Sequence, residues 1–283
     1  MPWAAFWRSS WGTASSTPPS RDAGEPGVSL IGSMEAKTVT EIVPIFSGIA
    51  DETDFCHTPT AQLIFNAATL CLDRKMLGLV MGDPGIGKTT ALRRFAEVTP
   101  RVVYMAMSPA RRSMTSALGY IMGQLTSYPL QRLTEIHDGL VNIFLQRQLR
   151  MLILDEAQHL TDYVIDELRC LYDDTGTIML FCGNARFRDR FNSERSGFGQ
   201  VTSRVGTRLL LQRPERGDVI ALCDQCGITD ERAKTFLFEH SQSVGALRLV
   251  RNLIDLGRRI AGTARAVRVE HLKQALMVLG GQQ

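Results

Sequence analysis

Apolar residues along the chain fall into two recurring patterns. Short, nearly unbroken runs end in small or acidic residues, while longer stretches carry apolar residues at helical spacing. Met76–Met81 (interrupted by Gly78), Arg101–Met107, Met151–Leu154, Thr177–Cys182 and Arg208–Gln212 read as strands. The fully apolar runs among them suit a parallel sheet covered on both faces, where neither side of a strand meets water. Between them, Thr90–Val98, Ser113–Leu125, Leu130–Leu149, Thr161–Tyr172 and Asn184–Phe191 read as helices. Ahead of the first strand, Thr58 and Pro59 supply a helix N-cap and first helical position. Leu63, Ile64, Ala67, Ala68 and Cys71 then recur at helical spacing up to Leu72. Strands alternating with helices predict a doubly wound α/β fold with right-handed crossovers.

From Glu215 the pattern is helical only: Arg216–Cys226, Asp230–Ser241, Ala246–Ala261 and Val269–Leu279. The expected organisation is an α/β domain over residues 34–214 and a small helical lid over 215–283. Residues 1–33 are rich in Ser, Pro, Gly and Thr after a Trp-bearing start. They are expected to be disordered, or an extension upstream of a start at Met34. Residues 35–56 read as an irregular lead-in. No apolar run is long enough to cross a bilayer. Arg8 breaks the N-terminal apolar segment, so a signal peptide fits poorly and a cytoplasmic protein is expected.

Composition narrows this little. The chain has 283 residues, 44% hydrophobic and 22% charged, with a net charge of +3, ordinary values for a globular protein. Arginine is concentrated after residue 185 and again from Arg248 onward, while residues 35–54 are acidic. Such asymmetry permits an anionic partner, although solvated helix faces explain it equally. Six cysteines show no disulfide framework. Cys223-x-x-Cys226 lacks the second pair that a structural zinc site needs, so both read as helix residues.

The chemistry-bearing stretch is Gly82-Asp83-Pro84-Gly85-Ile86-Gly87-Lys88-Thr89, a G-x-x-x-x-G-K-T run between a predicted strand and a predicted helix that opens with Thr90. Its glycines let backbone N–H groups turn inward on phosphate oxygens, and the helix start adds a positive dipole end. Lys88 is expected to reach the β/γ-phosphates, and the Thr89 hydroxyl to hold Mg²⁺. Met151–Leu154 ends in Asp155-Glu156, which places two acids at a strand's C-terminal edge beside the P-loop. Asp155 is expected to hold Mg²⁺, and Glu156 to polarise the attacking water. Asn184 follows the next strand; there it can orient that water, contact the γ-phosphate, or simply cap a helix. No N-K-x-D motif follows the strands, which favours ATP over GTP.

Together, the P-loop, the Asp155-Glu156 pair, Asn184 at a strand end and a helical tail resemble the AAA+ ATPases. Gly82–Ala106 and Asp155-Glu156-Ala157-Gln158-His159 look most like the transposition-helper branch, which includes the phage Mu B protein. The resemblance implies an ATPase that forms rings or filaments on double-stranded DNA, marks target DNA and stimulates a transposase. It implies an arginine finger at Arg204, with Arg208 as fallback, and a sensor arginine at Arg248, with Arg251 as the alternative. The Mu protein's helix-turn-helix domain ahead of the ATPase has no counterpart in residues 1–33. Arg111, Arg112, Ser113 and Thr115 open a helix after the second strand and suit a phosphate backbone, although an exposed polar turn explains them nearly as well. Nothing resembles a base-reading module, so DNA binding is expected to ignore sequence and to depend on salt. A helicase loader or a secretion-type ATPase with another partner is the competing reading.

Overall fold

The computed structural model describes residues 55–126, 133–192, 199–262 and 266–280. The expectations for residues 1–33 and for most of the 35–56 lead-in lie outside that range. The first element, α1 (Pro59–Arg74), begins as its sequence dictates, with the Thr58 hydroxyl accepting the Ala61 N–H and Pro59 in the first turn. Lys75, in the left-handed region, ends it.

Five strands follow: β1 (Leu77–Gly82), β2 (Val102–Ala106), β3 (Met151–Asp155), β4 (Ile178–Gly183) and β5 (Val205–Leu211). They form one parallel sheet in the order β2-β3-β4-β1-β5. On one face Leu79, Leu152, Leu154, Met179 and Phe181 pack under α3 (Met114–Leu125), α4 (Leu133–Gln146) and α5 (Asp162–Thr175). On the other, Val80, Ile153, Leu180 and Cys182 pack under α1 and α2 (Lys88–Val98). Alternate residues of one strand thus serve two cores, which is why these runs carry no polar alternation.

The sheet's flank departs from expectation. β5 starts at Val205 rather than Arg208, and a short helix, α7 (Gly199–Arg204), runs directly into it behind α6 (Ala185–Asn192). β5 is an edge strand whose residues alternate between half-buried and exposed up to Leu211. Covered on one side only, it tolerates Thr207 and Arg208, so the apolar run is too short to mark its start.

Among the described residues, four more helices follow: α8 (Arg216–Gln225), α9 (Glu231–Ser241), α10 (Ala246–Ala261) and α11 (Val269–Val278). They share their own core, built on Val219, Leu222, Leu237, Val250, Leu253, Ile254 and Leu272. A fully buried carboxylate ties this layer to α1. Asp218 accepts the Thr60 N–H and hydroxyl, both at 2.8 Å, and the Glu215 N–H at 2.9 Å. Among the described residues, no helix is long and apolar enough to cross a membrane.

Candidate active site

β1 delivers the chain to Gly82 at the sheet's C-terminal edge, and α2 restarts it at Lys88. The connecting loop needs backbone angles that side chains resist. Gly85 and Gly87 take φ values of 88° and 95°, which glycine adopts without steric cost. A side-chain carbon at Gly85 would stand 2.2 Å from the Gly245 carbonyl oxygen, so the loop touches the helical layer here. Lys88 Nζ donates to the Gly82 and Asp83 carbonyls, each at 2.8 Å, which keeps its ammonium over the loop.

Asp155 ends β3 with only 2% of its surface exposed. Its Oδ2 accepts the Thr89 hydroxyl at 2.6 Å and the Tyr104 hydroxyl at 2.7 Å, and its Oδ1 accepts the Glu156 N–H at 2.8 Å. These bonds satisfy a buried charge that would be costly alone. Burial, reinforced by Asp155, pushes the Tyr104 hydroxyl well above its ordinary pKa, so it remains a donor. The same two causes, burial first, raise the Cys182 thiol behind the carboxylate.

Glu156 occupies the left-handed region at φ 56°, where few non-glycine residues sit. Its side chain is exposed, and Gln158 Nε2 donates to it. Gln158 Oε1 accepts the Asn184 N–H at 3.4 Å, while Asn184 Oδ1 caps α6 by accepting the Phe187 N–H at 3.3 Å. Asn184 therefore caps its helix and faces the site together.

These groups line one cavity of about 340 Å³. Its polar end holds Gly85, Lys88, Thr89, Asp155, Glu156 and Asn184; its apolar wall is Phe55, Cys56, Ala61, Leu222 and Leu247. The donor set fits the groups a P-loop implies. A positive-φ loop, an ammonium and a helix start suit phosphates. The Thr89 hydroxyl and the Asp155 carboxylate are adjacent hard oxygen donors, the type magnesium takes. The apolar wall suits a base. Only Ala61 of it comes from α1; the rest comes from the segment before α1 and from the helical layer.

Comparison with known proteins agrees with this geometry. A family model described as an AAA domain matches residues 72–191, and one described as the Mu B transposition protein, C terminal, matches residues 203–279. The ATP-dependent target DNA activator B of Escherichia phage D108 is 28% identical over 80% of this chain and 73% of its own length. The activator of the same name in Escherichia phage Mu is 27% identical over the same shares. The Mu-like prophage FluMu DNA transposition protein B of Haemophilus influenzae is 27% identical over 69% of this chain and 70% of its own. The chain is thus similar to Mu B proteins along both matched stretches, and its fold is that of an α/β P-loop AAA+ protein. It binds a nucleoside triphosphate in an AAA domain and is an ATPase. In fold it resembles Cdc6p from Pyrobaculum aerophilum, at TM-score 0.62 and 18% identity over 81% of this chain and 71% of that one. It also resembles the Aeropyrum pernix ORC2 protein, at TM-score 0.59 and 18% identity over 80% and 70%.

The arginines singled out from the sequence divide into two groups. Arg248 opens α10 with its N–H on the Gly85 and Gly245 carbonyls, at 3.2 and 3.0 Å, and its side chain lines the cavity beside Arg251. Arg204 closes α7, pairs with Asp173 at 2.7 Å, and does not line its own chain's cavity; nor does exposed Arg208. Arg111 closes a short 3-10 turn, Pro109–Arg111, just ahead of α3. It lies 3.3 Å from the Tyr120 ring centroid and donates to the Ala106 carbonyl at 3.1 Å, leaving Arg112 and Thr115 exposed while Ser113 caps α3. Sequence reasoning missed Tyr104, Gln158, Phe55, Leu222 and Leu247. Only Gln158 carried a signal, its place two residues after Glu156.

Proposed function

We propose that this protein is an ATP-dependent, DNA-binding regulator of transposition. It oligomerises with ATP on double-stranded DNA, marks it as a target and stimulates a transposase. One observation carries the reading: a complete P-loop and acid-ended strand stand in a chain whose relatives are target DNA activators B. The work is assigned to an α/β domain at 34–214 and a helical lid at 215–283, in the cytoplasm.

Within that reading, residues Gly82–Thr90 cradle the phosphates and Lys88 reaches the β/γ oxygens. Thr89 and Asp155 would hold magnesium, which would neutralise charge on the transferring phosphoryl group. Glu156 takes the proton of the attacking water, and Asn184 orients that water. Arg248 reads the γ-phosphate from the lid. Arg204 leaves Asp173 and reaches the nucleotide of a neighbouring copy, which makes hydrolysis depend on assembly. Its position outside its own cavity supports that role. Arg111, Arg112, Ser113 and Thr115 meet the DNA backbone.

Fluorescence anisotropy of labelled duplexes tests this. Binding should require a non-hydrolysable ATP analogue, ignore sequence and weaken steeply with salt. Arg111→Ala with Arg112→Ala should reduce the salt slope by about 2, roughly one unit per phosphate contact. No complex with the analogue at low salt would overturn the reading.

A further inference from the structure

Tyr104 lies on β2, half-buried on the sheet face that α1 and α2 cover. Its ring has an apolar reason to be there; its hydroxyl does not. That hydroxyl donates to Asp155 Oδ2 at 2.7 Å, the oxygen that the Thr89 hydroxyl also reaches at 2.6 Å. The Glu156 N–H holds the other oxygen at 2.8 Å. Thr89 sits at the start of α2, behind the P-loop. Tyr104 and the Glu156 amide, by contrast, are anchored on the paired β2–β3 ladder, where Ala106 faces Asp155. Two donors away from the P-loop, one per oxygen, fix the plane of the carboxylate whatever that loop does. The Arg93 guanidinium, 5.2 Å from the Tyr104 ring centroid, covers the ring from α2.

We infer that Tyr104 is a positioning residue for the metal-binding carboxylate: it sets Asp155 in the orientation that magnesium requires. This rests on the assignment of Asp155 and Thr89 as the magnesium-holding pair. Partners that orient a metal ligand from behind are worth about 10–100-fold in metal affinity. Tyr104→Phe removes the hydroxyl alone and leaves the ring beneath Arg93.

The experiment titrates magnesium chloride into protein with a methylanthraniloyl-ATP probe and follows probe fluorescence, without turnover. Tyr104→Phe should raise the half-saturating magnesium concentration about tenfold, with probe affinity in EDTA within about twofold of wild type. Tyr104→His keeps a ring, but its N–H stands well short of the place of the phenol oxygen, so it should behave as Tyr104→Phe. Added to Asp155→Asn, Tyr104→Phe should cause no further change, because residues acting through one another are not additive. An unshifted magnesium requirement in Tyr104→Phe overturns the inference, as does an effect that persists undiminished in the Asp155→Asn background. If Tyr104→Phe does not fold, the histidine variant decides: a requirement raised about tenfold supports the donor role, and a wild-type requirement overturns it. A wild type whose probe binding ignores magnesium overturns the pair's assignment, and this inference with it.

Discussion

Asp155 and Glu156 are neighbours in the chain and opposites in environment. Asp155 is buried and fully bonded, whereas Glu156 is turned outward by a left-handed backbone into the cavity. One is fixed; the other is free to meet water. Glu156→Gln should therefore lower phosphate release by about 10²–10⁴-fold, the usual worth of a general base, while fluorescent nucleotide still binds. Unchanged turnover would move the base elsewhere. A second expectation concerns Cys223, buried in the core of the C-terminal helices, whose thiol burial pushes from 9.0 up to about 12. The folded state favours the protonated thiol. Its contribution to stability is complete below about pH 9 and is lost as pH rises toward about 12. Denaturant midpoints should fall across pH 9–10.5, and less steeply in Cys223→Ala. At this scale the sequence reveals residues whose spacing is local, such as Lys88 and Thr89. It hides Tyr104, which lies 51 residues from Asp155 and meets it only through strand register.

The legible elements are those that carry their own start and stop chemistry. Thr58, Ser113 and Thr161 cap α1, α3 and α5 with their hydroxyls, as their positions imply. α5 runs to Thr175, past the expected Tyr172, because Gly176 rather than the last apolar residue ends it. β5 was the harder element, since it buries only one face. What no local pattern shows is the tie between α8 and α1, made by Asp218 and Thr60 across 158 residues. Removing one partner of a buried, hydrogen-bonded charge costs roughly 1–3 kcal/mol or more. Asp218→Ala should lower the unfolding free energy by at least that and weaken nucleotide binding by loosening the lid; Thr60→Val should cost less. An Asp218→Ala protein as stable as wild type would show that the tie is ornamental.

Among the described residues, the cavity is bounded by the sheet edge, the segment before α1 and the helical layer that touches the P-loop at Gly85 and Gly245. Thr89, Asp155, Glu156 and Arg248 line it, but Arg204 and Arg208 lie outside it. Under the proposed function the missing cation comes from the next copy. Arg204→Ala should then leave nucleotide binding intact and cut DNA-stimulated hydrolysis by about 10³–10⁵-fold, the range for such fingers. The central claim is a site shared between copies, and mixing two inactive variants tests it most directly. Glu156→Gln supplies an intact Arg204, and Arg204→Ala supplies an intact Glu156. Phosphate release on DNA should be near zero for either alone and should recover when the two are mixed. A mixture as inactive as its parts, or an Arg204→Ala protein that hydrolyses at the wild-type rate, would contradict the account.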